Sequence, residues 1–108
     1  MRYAKRNLTS MLIHKQPLDR KYFNREFYLD LPKDSKIISF QKQRLEPTVW
    51  YMFDERNIAD LVRRYFFIVG TGISANVREA IHIGTLQVGL FGFHLFEKVA
   101  LMNGVFHD

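Results

Sequence analysis

The motif Gly70-Thr71-Gly72 is the first candidate for chemistry, because glycine-rich loops that follow a buried strand can cradle phosphate groups. A nucleotide-binding P-loop also needs a Gly-Lys-Ser/Thr end that opens a helix, and here no lysine follows. A dinucleotide fingerprint needs a third glycine within a βαβ unit. The motif therefore favours a tight bend with a left-handed glycine over a phosphate site.

The four histidines, His14, His82, His94 and His107, are the only strong candidates for nitrogen ligands of a metal. A metal site needs three or four converging ligands, and on a strand His94 faces away from Glu97 because odd spacing alternates sides. We therefore expect no metal and no other cofactor. If a metal did bind, His82 and His94 on neighbouring strands would be the first pair to test.

The serines and carboxylates of the sequence form no pattern that is typical of a catalytic site. The serines Ser10, Ser35, Ser39 and Ser74 have no nucleophile-elbow context. Carboxylates such as Asp54, Asp60, Glu79 and Glu97 carry no spacing that places them together for acid–base work. The sequence predicts a protein that binds a partner and is not an enzyme.

Basic and aromatic residues alternate near the start of the chain, where Tyr3, Tyr22, Phe23 and Tyr28 lie among Arg2, Lys5, Arg6, Arg20, Lys21 and Arg25. Rings beside cations can hold single-stranded nucleic acid, although packing of the rings into a sheet explains them equally. Three further arginines lie within the segment 54–64, among Asp54, Glu55 and Asp60. The predicted contact residues are Arg20, Lys21, Tyr22, Arg25, Arg56, Arg63 and Arg64.

Composition sets the limits on class and location. The chain has 108 residues and no cysteine, so disulfides and thiolate zinc sites are excluded, and a reducing cytoplasm is expected. No segment approaches the roughly 20 apolar residues that a membrane helix needs, and the polar, basic start does not resemble a secretory signal. The charge of +5 is uneven: residues 1–50 carry eleven Lys/Arg against five Asp/Glu. Such a basic half can contact nucleic acid, an anionic nucleotide or an acidic protein surface.

The elements that would position these residues are strands. Alternation at Phe27, Leu29 and Leu31 and the β-formers of 48–53 predict half-buried strands. We expect further strands at 11–15, 36–43, 65–69, 81–88 and 90–98, with a bulge or close approach at Gly84. Residues 19–25 and 54–64 are expected to be loops with about one helical turn.

Short connections leave no room for βαβ crossovers, so the sheet should be antiparallel. The predicted fold is a single mainly β domain, a small sandwich or partly open barrel of about seven strands. Residues 1–10 form a basic arm, 11–98 the β core and 99–108 a tail.

Six short motifs give the chain a likeness to a known family. They are Leu31-Pro32-Lys33, Lys36-Ile37-Ile38-Ser39, Thr48-Val49-Trp50, Phe67-Ile68-Val69-Gly70-Thr71-Gly72, Ile83-Gly84-Thr85-Leu86-Gln87 and Phe93-His94-Leu95-Phe96-Glu97. In order and spacing the chain resembles, from about His14 to Lys98, a family of small uncharacterised β domains encoded by bacteriophages. The resemblance implies a phage accessory protein in the host bacterial cytoplasm, and it implies no catalytic residue.

Three binding functions follow as hypotheses. In the first, the protein engages, and inhibits, a host cytoplasmic protein through Arg20, Lys21, Arg25 and the segment 54–64. The second is binding of nucleic acid or an anionic nucleotide through the basic cluster and a stacking aromatic. The third is a virion or scaffold component in which copies of the chain pair through a sheet edge.

Overall fold

A computed structural model describes residues 10–99, and within them the chain forms seven strands and two short 3-10 turns. The strands are β1 (Met11–Pro17), β2 (Arg25–Pro32), β3 (Lys36–Gln43), β4 (Glu46–Asp54), β5 (Leu61–Gly70), β6 (Ala80–Val88) and β7 (Phe91–Lys98). The 3-10 turns are η1 (Arg20–Tyr22) and η2 (Glu55–Asn57). The predicted basic arm and tail lie outside the described residues, apart from Ser10 and Val99.

The strands form two antiparallel sheets, of order β1-β4-β3 and β2-β5-β7-β6, which pack as an open sandwich and do not close into a barrel. The prediction of a mainly β antiparallel domain is confirmed. β3 and β6 lie side by side where the sheets meet, and Phe40 packs over Gly84 there. A register shift between His82 and Gly84 confirms the expected irregularity.

The core lies between the sheets and is built from alternate residues of each strand. Its largest fully buried rings are Phe53 from the three-stranded sheet and Phe66 from the four-stranded sheet. Burying a side chain of this kind contributes about 1.5–3 kcal/mol to stability. The same alternation turns Tyr65, Phe67, His94 and Phe96 to the outer face of the four-stranded sheet, which is therefore unusually aromatic.

One prediction was wrong in its boundary. The segment 54–64 was expected to be a loop with about one helical turn; η2 is such a turn, but β5 begins at Leu61 and not after Arg64. Strand pairing of Asp30 with Arg63 and of Leu29 with Arg64 brings both arginines into the sheet. The cross-strand pairing outweighs the weak helical spacing of Ile58, Leu61 and Val62.

The strand directions separate the molecule into two ends. β2, β4 and β7 run away from one end, and the other four strands run toward it. We call this end the basic end; it consists of residues 15–22, 42–46, 70–73 and 88–91. The turns at 32–36 and 54–60 lie at the opposite end.

Candidate functional site

Three of the predicted contact residues, Arg20, Lys21 and Tyr22, form η1 at the basic end. Asp19 caps this turn, since its carboxylate accepts a hydrogen bond from the Lys21 backbone N–H at 2.9 Å. The Arg20 guanidinium donates to the carbonyl oxygen of Leu45 at 3.0 Å. η1 is thereby fastened to the turn between β3 and β4.

One face of the Tyr22 ring is covered within the molecule. It lies parallel to the Phe27 ring, with centroids 4.5 Å apart and planes 5° apart. Phe23 packs on Phe93 with centroids 4.3 Å apart and planes tilted by 36°. These contacts favour the packing interpretation of the early aromatics. The Lys21 ammonium nitrogen is 5.8 Å from the Tyr22 ring centroid, which leaves it at the surface with a weak cation–π contact.

Arg56 and Arg63 lie away from the basic end, and each holds a carboxylate. Arg56 makes a bidentate pair with Asp54, and these hydrogen bonds lower the pKa of Asp54 to about 2. Arg63 pairs with Asp30 at 2.9 Å and lies 3.8 Å from the Tyr28 ring centroid. Its hydrogen bond lowers the pKa of Asp30. Both guanidiniums are thus occupied within the molecule.

Arg64 links the two sheets. Its guanidinium donates to Glu97 at 2.6 and 2.7 Å and also to the carbonyl oxygen of Ser35 in the β2–β3 turn. The exposed fractions of the two side chains are 22% and 20%. A partly buried, bidentate pair of this kind is structural in character.

The seven predicted contact residues therefore do not form one surface. Arg20, Lys21 and Tyr22 belong to the basic end, whereas Arg56, Arg63 and Arg64 are held in ion pairs elsewhere. Arg25 opens β2 and lines a separate groove. The sequence predicted a single surface for all seven because strand directions cannot be read from it.

Two exposed leucines at the basic end were missed. Leu45 and Leu90 each follow a residue with positive φ, Arg44 and Gly89, in the two-residue turns of the β3–β4 and β6–β7 hairpins. Leu45 is 73% exposed and Leu90 is 93% exposed. Turn positions of this kind normally carry polar residues or glycine, so the signal was a leucine where turn chemistry does not call for one.

The charge of the described residues is concentrated around these leucines. The basic end carries Lys15, Arg20, Lys21, Lys42 and Arg44 against Asp19 and Glu46, a net charge of +3, and the other described residues balance to zero. Among residues 10–99, no ion pair involves Lys21, Lys42 or Arg44. Apolar tips beside unpaired cations suit an acidic surface with a hydrophobic pocket.

A groove of about 730 Å³ lies on the outer face of the four-stranded sheet. Its floor includes Phe67 and Val69 of β5, and one wall is the segment that connects β5 to β6. The connection has to travel the length of the sheet, since β6 runs in the same direction as β5 with β7 between them. This volume is typical of small-molecule sites.

The motif Gly70-Thr71-Gly72 forms the turn after β5, with Gly72 at φ 88°. The Thr71 amide donates to the carbonyl oxygen of Gly92, and a Cβ atom at Gly92 would lie 2.9 Å from the Thr71 hydroxyl. The motif therefore makes a bend and a close backbone approach, in agreement with the prediction of a tight bend.

Two histidines and two threonines form a chain of hydrogen bonds beside this turn. His94 Nε2 is 2.7 Å from Thr71 Oγ1, and His94 Nδ1 is 2.9 Å from Thr85 Oγ1. His82 Nε2 is 3.2 Å from the same Thr85 oxygen. Both ring nitrogens of His94 thus contact hydroxyl groups, and the ring is held in place without a carboxylate partner. Over the described residues, no group of three or more histidine or acidic side chains converges as a metal site would require.

Residues 10–99 contain no helix long and apolar enough to cross a membrane.

The family model for a domain of unknown function, DUF7352, matches residues 10–103, and the chain belongs to that family. No curated protein and no solved structure matches this chain.

Proposed function

We propose that this protein is a binding module, encoded by a bacteriophage, that docks its basic end on an acidic host protein in the bacterial cytoplasm and inhibits it. The phage origin rests on the motif resemblance. The docking surface rests on one observation, the pair of exposed leucines at two hairpin tips within the region that carries the net positive charge.

The physical reason is that the leucines gain free energy on burial, whereas the cations favour an acidic partner. A leucine that is 93% exposed at a turn gains free energy when it enters an apolar pocket, by up to about 2 kcal/mol. The nearby cations raise the rate of encounter with an acidic partner. Arg20 fastens η1 to the Leu45 turn, so the cations and that tip are held in a fixed relation.

Arg20 and Lys21 remain in the proposed contact surface, joined by Arg44, Leu45 and Leu90. The segment 54–64 is not part of the proposed contact surface. It lies at the opposite end, and its arginines form ion pairs with carboxylates of the same molecule. A single partner of ordinary interface size would not need both ends.

Site-specific photocrosslinking tests the proposal. A photoreactive residue is placed at position 90, with a matched control at Ile58, an apolar residue that is also exposed but lies at the opposite end. Irradiation in bacterial lysate, followed by mass spectrometry, should give one dominant acidic adduct from position 90 and none of it from position 58. Lys21→Glu and Leu45→Asp, each combined with the photoreactive residue at position 90, should abolish that adduct. Equal labelling from both positions, or adducts between copies of the chain, would contradict the proposal.

A further inference from the structure

The groove on the outer face of the four-stranded sheet lies apart from the tips that carry the proposed docking surface. The start of β2 forms one wall, and the connection from Ile73 to Glu79 forms the other. Phe67 and Val69 contribute to the floor, and Lys98 lines the groove as well. An elongated cleft with an apolar floor and polar walls accepts a flat organic molecule that carries a polar group.

The floor presents an aromatic surface. The Phe67 ring is half-buried and lies parallel to the Phe96 ring, with centroids 5.1 Å apart and planes 9° apart. This neighbour fixes the orientation of Phe67. A ring that is already oriented can stack on an incoming base without losing further side-chain freedom.

Some of the charged groups around the groove form ion pairs, and others do not. Lys98 pairs with Glu26 at 2.8 Å, so these two charges neutralise each other. Arg78 lines the groove from the connecting segment and has no ion pair within residues 10–99. Arg25 also belongs to the lining, but it alternates with Glu26, so its side chain starts from the face that carries Phe27. Arg78 is therefore the cation of the groove that is available to an anion.

Hydrogen-bonding groups are also held in place on both walls of the groove. Asn24 Oδ1 accepts a hydrogen bond from the Gly70 amide at 2.8 Å, which orients its NH₂ group as a free donor. Asn76 Oδ1 accepts from the Arg78 backbone amide at 3.1 Å and shapes the turn that carries that arginine. The groove thus has an aromatic floor, one unpaired guanidinium, that of Arg78, and an oriented amide.

From these features we propose that the groove is a binding site for an aromatic base that carries a phosphate, either a free nucleoside monophosphate or the phosphorylated end of a nucleic acid strand. The base stacks on Phe67, the phosphate takes hydrogen bonds from Arg78, and Asn24 donates to the sugar or base. A guanidinium offers phosphate the paired donors that a lysine lacks.

Isothermal titration calorimetry with AMP, GMP, CMP and UMP, and with a 5′-phosphorylated tetranucleotide, tests this site in the full chain. Binding should weaken at least about tenfold in Arg78→Gln, as expected for lost charge-assisted hydrogen bonds. Lys42→Gln, which removes a cation at the basic end, should bind as the unaltered protein does. Tighter binding of the tetranucleotide than of any mononucleotide would identify a strand end as the source of the phosphate.

The base and the phosphate are tested separately. Adenosine should bind at least about tenfold more weakly than AMP, and ribose 5-phosphate should bind at least about tenfold more weakly too. Absence of heat with every probe at millimolar concentration, or equal binding by the Arg78→Gln and Lys42→Gln variants, would overturn the proposal. The crosslinking experiment at Leu90 is unaffected by either result, because Lys21→Glu does not alter the groove.

Discussion

At the scale of single residues, four positions other than glycine adopt left-handed backbone within the described chain: Asn24, Asp34, Arg44 and Glu79. Asn and Asp tolerate this region through local hydrogen bonding, but an arginine there has no such compensation. Arg44 therefore carries strain in the turn that presents Leu45. Strain of this kind tends to persist at functional positions.

Replacing Arg44 by glycine should relieve that strain. We expect Arg44→Gly to raise the free energy of unfolding by about 0.5–1 kcal/mol, since the steric gain exceeds the entropy that glycine adds to the unfolded chain. Gly89→Ala is the matched change in the other hairpin and should lower it by about 1 kcal/mol. Guanidinium chloride denaturation measures both, and a destabilised Arg44→Gly variant would show that the φ of 57° is not strained.

The predicted contact residues show what single positions in a sequence cannot reveal. Arg63 and Arg64 were predicted as binding residues because they are adjacent cations in a polar segment. Their carboxylate partners, Asp30 and Glu97, are each 33 residues away and meet them only through strand pairing. Arg20 and Lys21 were correctly placed in a short turn, since Asp19 is a recognisable cap.

At the scale of elements, η2 depends on an ion pair that also caps it. Asp54 accepts hydrogen bonds from both the backbone and the side chain of Arg56, which together lower its pKa to about 2 from 3.8. A lowered folded-state pKa means that the stabilisation is present above about pH 4 and is lost as the pH falls toward 2. Because the pair is exposed, salt should weaken it.

Arg56→Gln removes the charge and keeps most of the side-chain length. The pKa of Asp54 should rise toward 3.8, and only partly, because the backbone hydrogen bond from residue 56 remains. A titration followed by NMR of the Asp54 carboxyl carbon measures this, with Asp34 as an internal reference. An unchanged pKa would mean that the backbone amide alone is responsible.

The strands themselves were largely predictable, and their order was not. Alternation gave β2 and β3 almost to their ends, and Gly84 marked the irregularity in β6. Two features could not be read from the sequence, namely the start of β5 and the position of β7 in the sheet. The start of β5 mixes Leu61 and Val62 with arginines, so its period is ambiguous, and the position of β7 between β5 and β6 leaves no trace in either strand. The groove depends on that order, so it was not predictable either.

At the scale of the whole molecule, the two sheets are joined by packing and by the Arg64–Glu97 pair, which also reaches Ser35. The pair connects β5 and β7 of one sheet to the turn that leads into the other. Its exposure of about one fifth leaves it enough solvent to avoid a large desolvation penalty. We therefore expect this pair to stabilise the alignment of the sheets.

A double-mutant cycle of Arg64→Met and Glu97→Gln measures this contribution. Each single variant should lower the free energy of unfolding by about 1–3 kcal/mol, because it leaves the other group without its partner. The double variant should lose less than the sum of the two, with a coupling energy of about 1–2 kcal/mol from urea denaturation. Strictly additive losses would show that the two groups do not stabilise each other.

The position of β7 between β5 and β6 has a consequence for biosynthesis. β5 and β6 are made first, but neither can pair with the other, and both need β7 to be complete. During translation the nascent chain must hold two strands with unsatisfied edges until residues 91–98 have left the ribosome. Ribosome-bound chains that end before Phe91 should therefore be accessible to chaperones and proteases. The groove forms only when β7 has paired between β5 and β6.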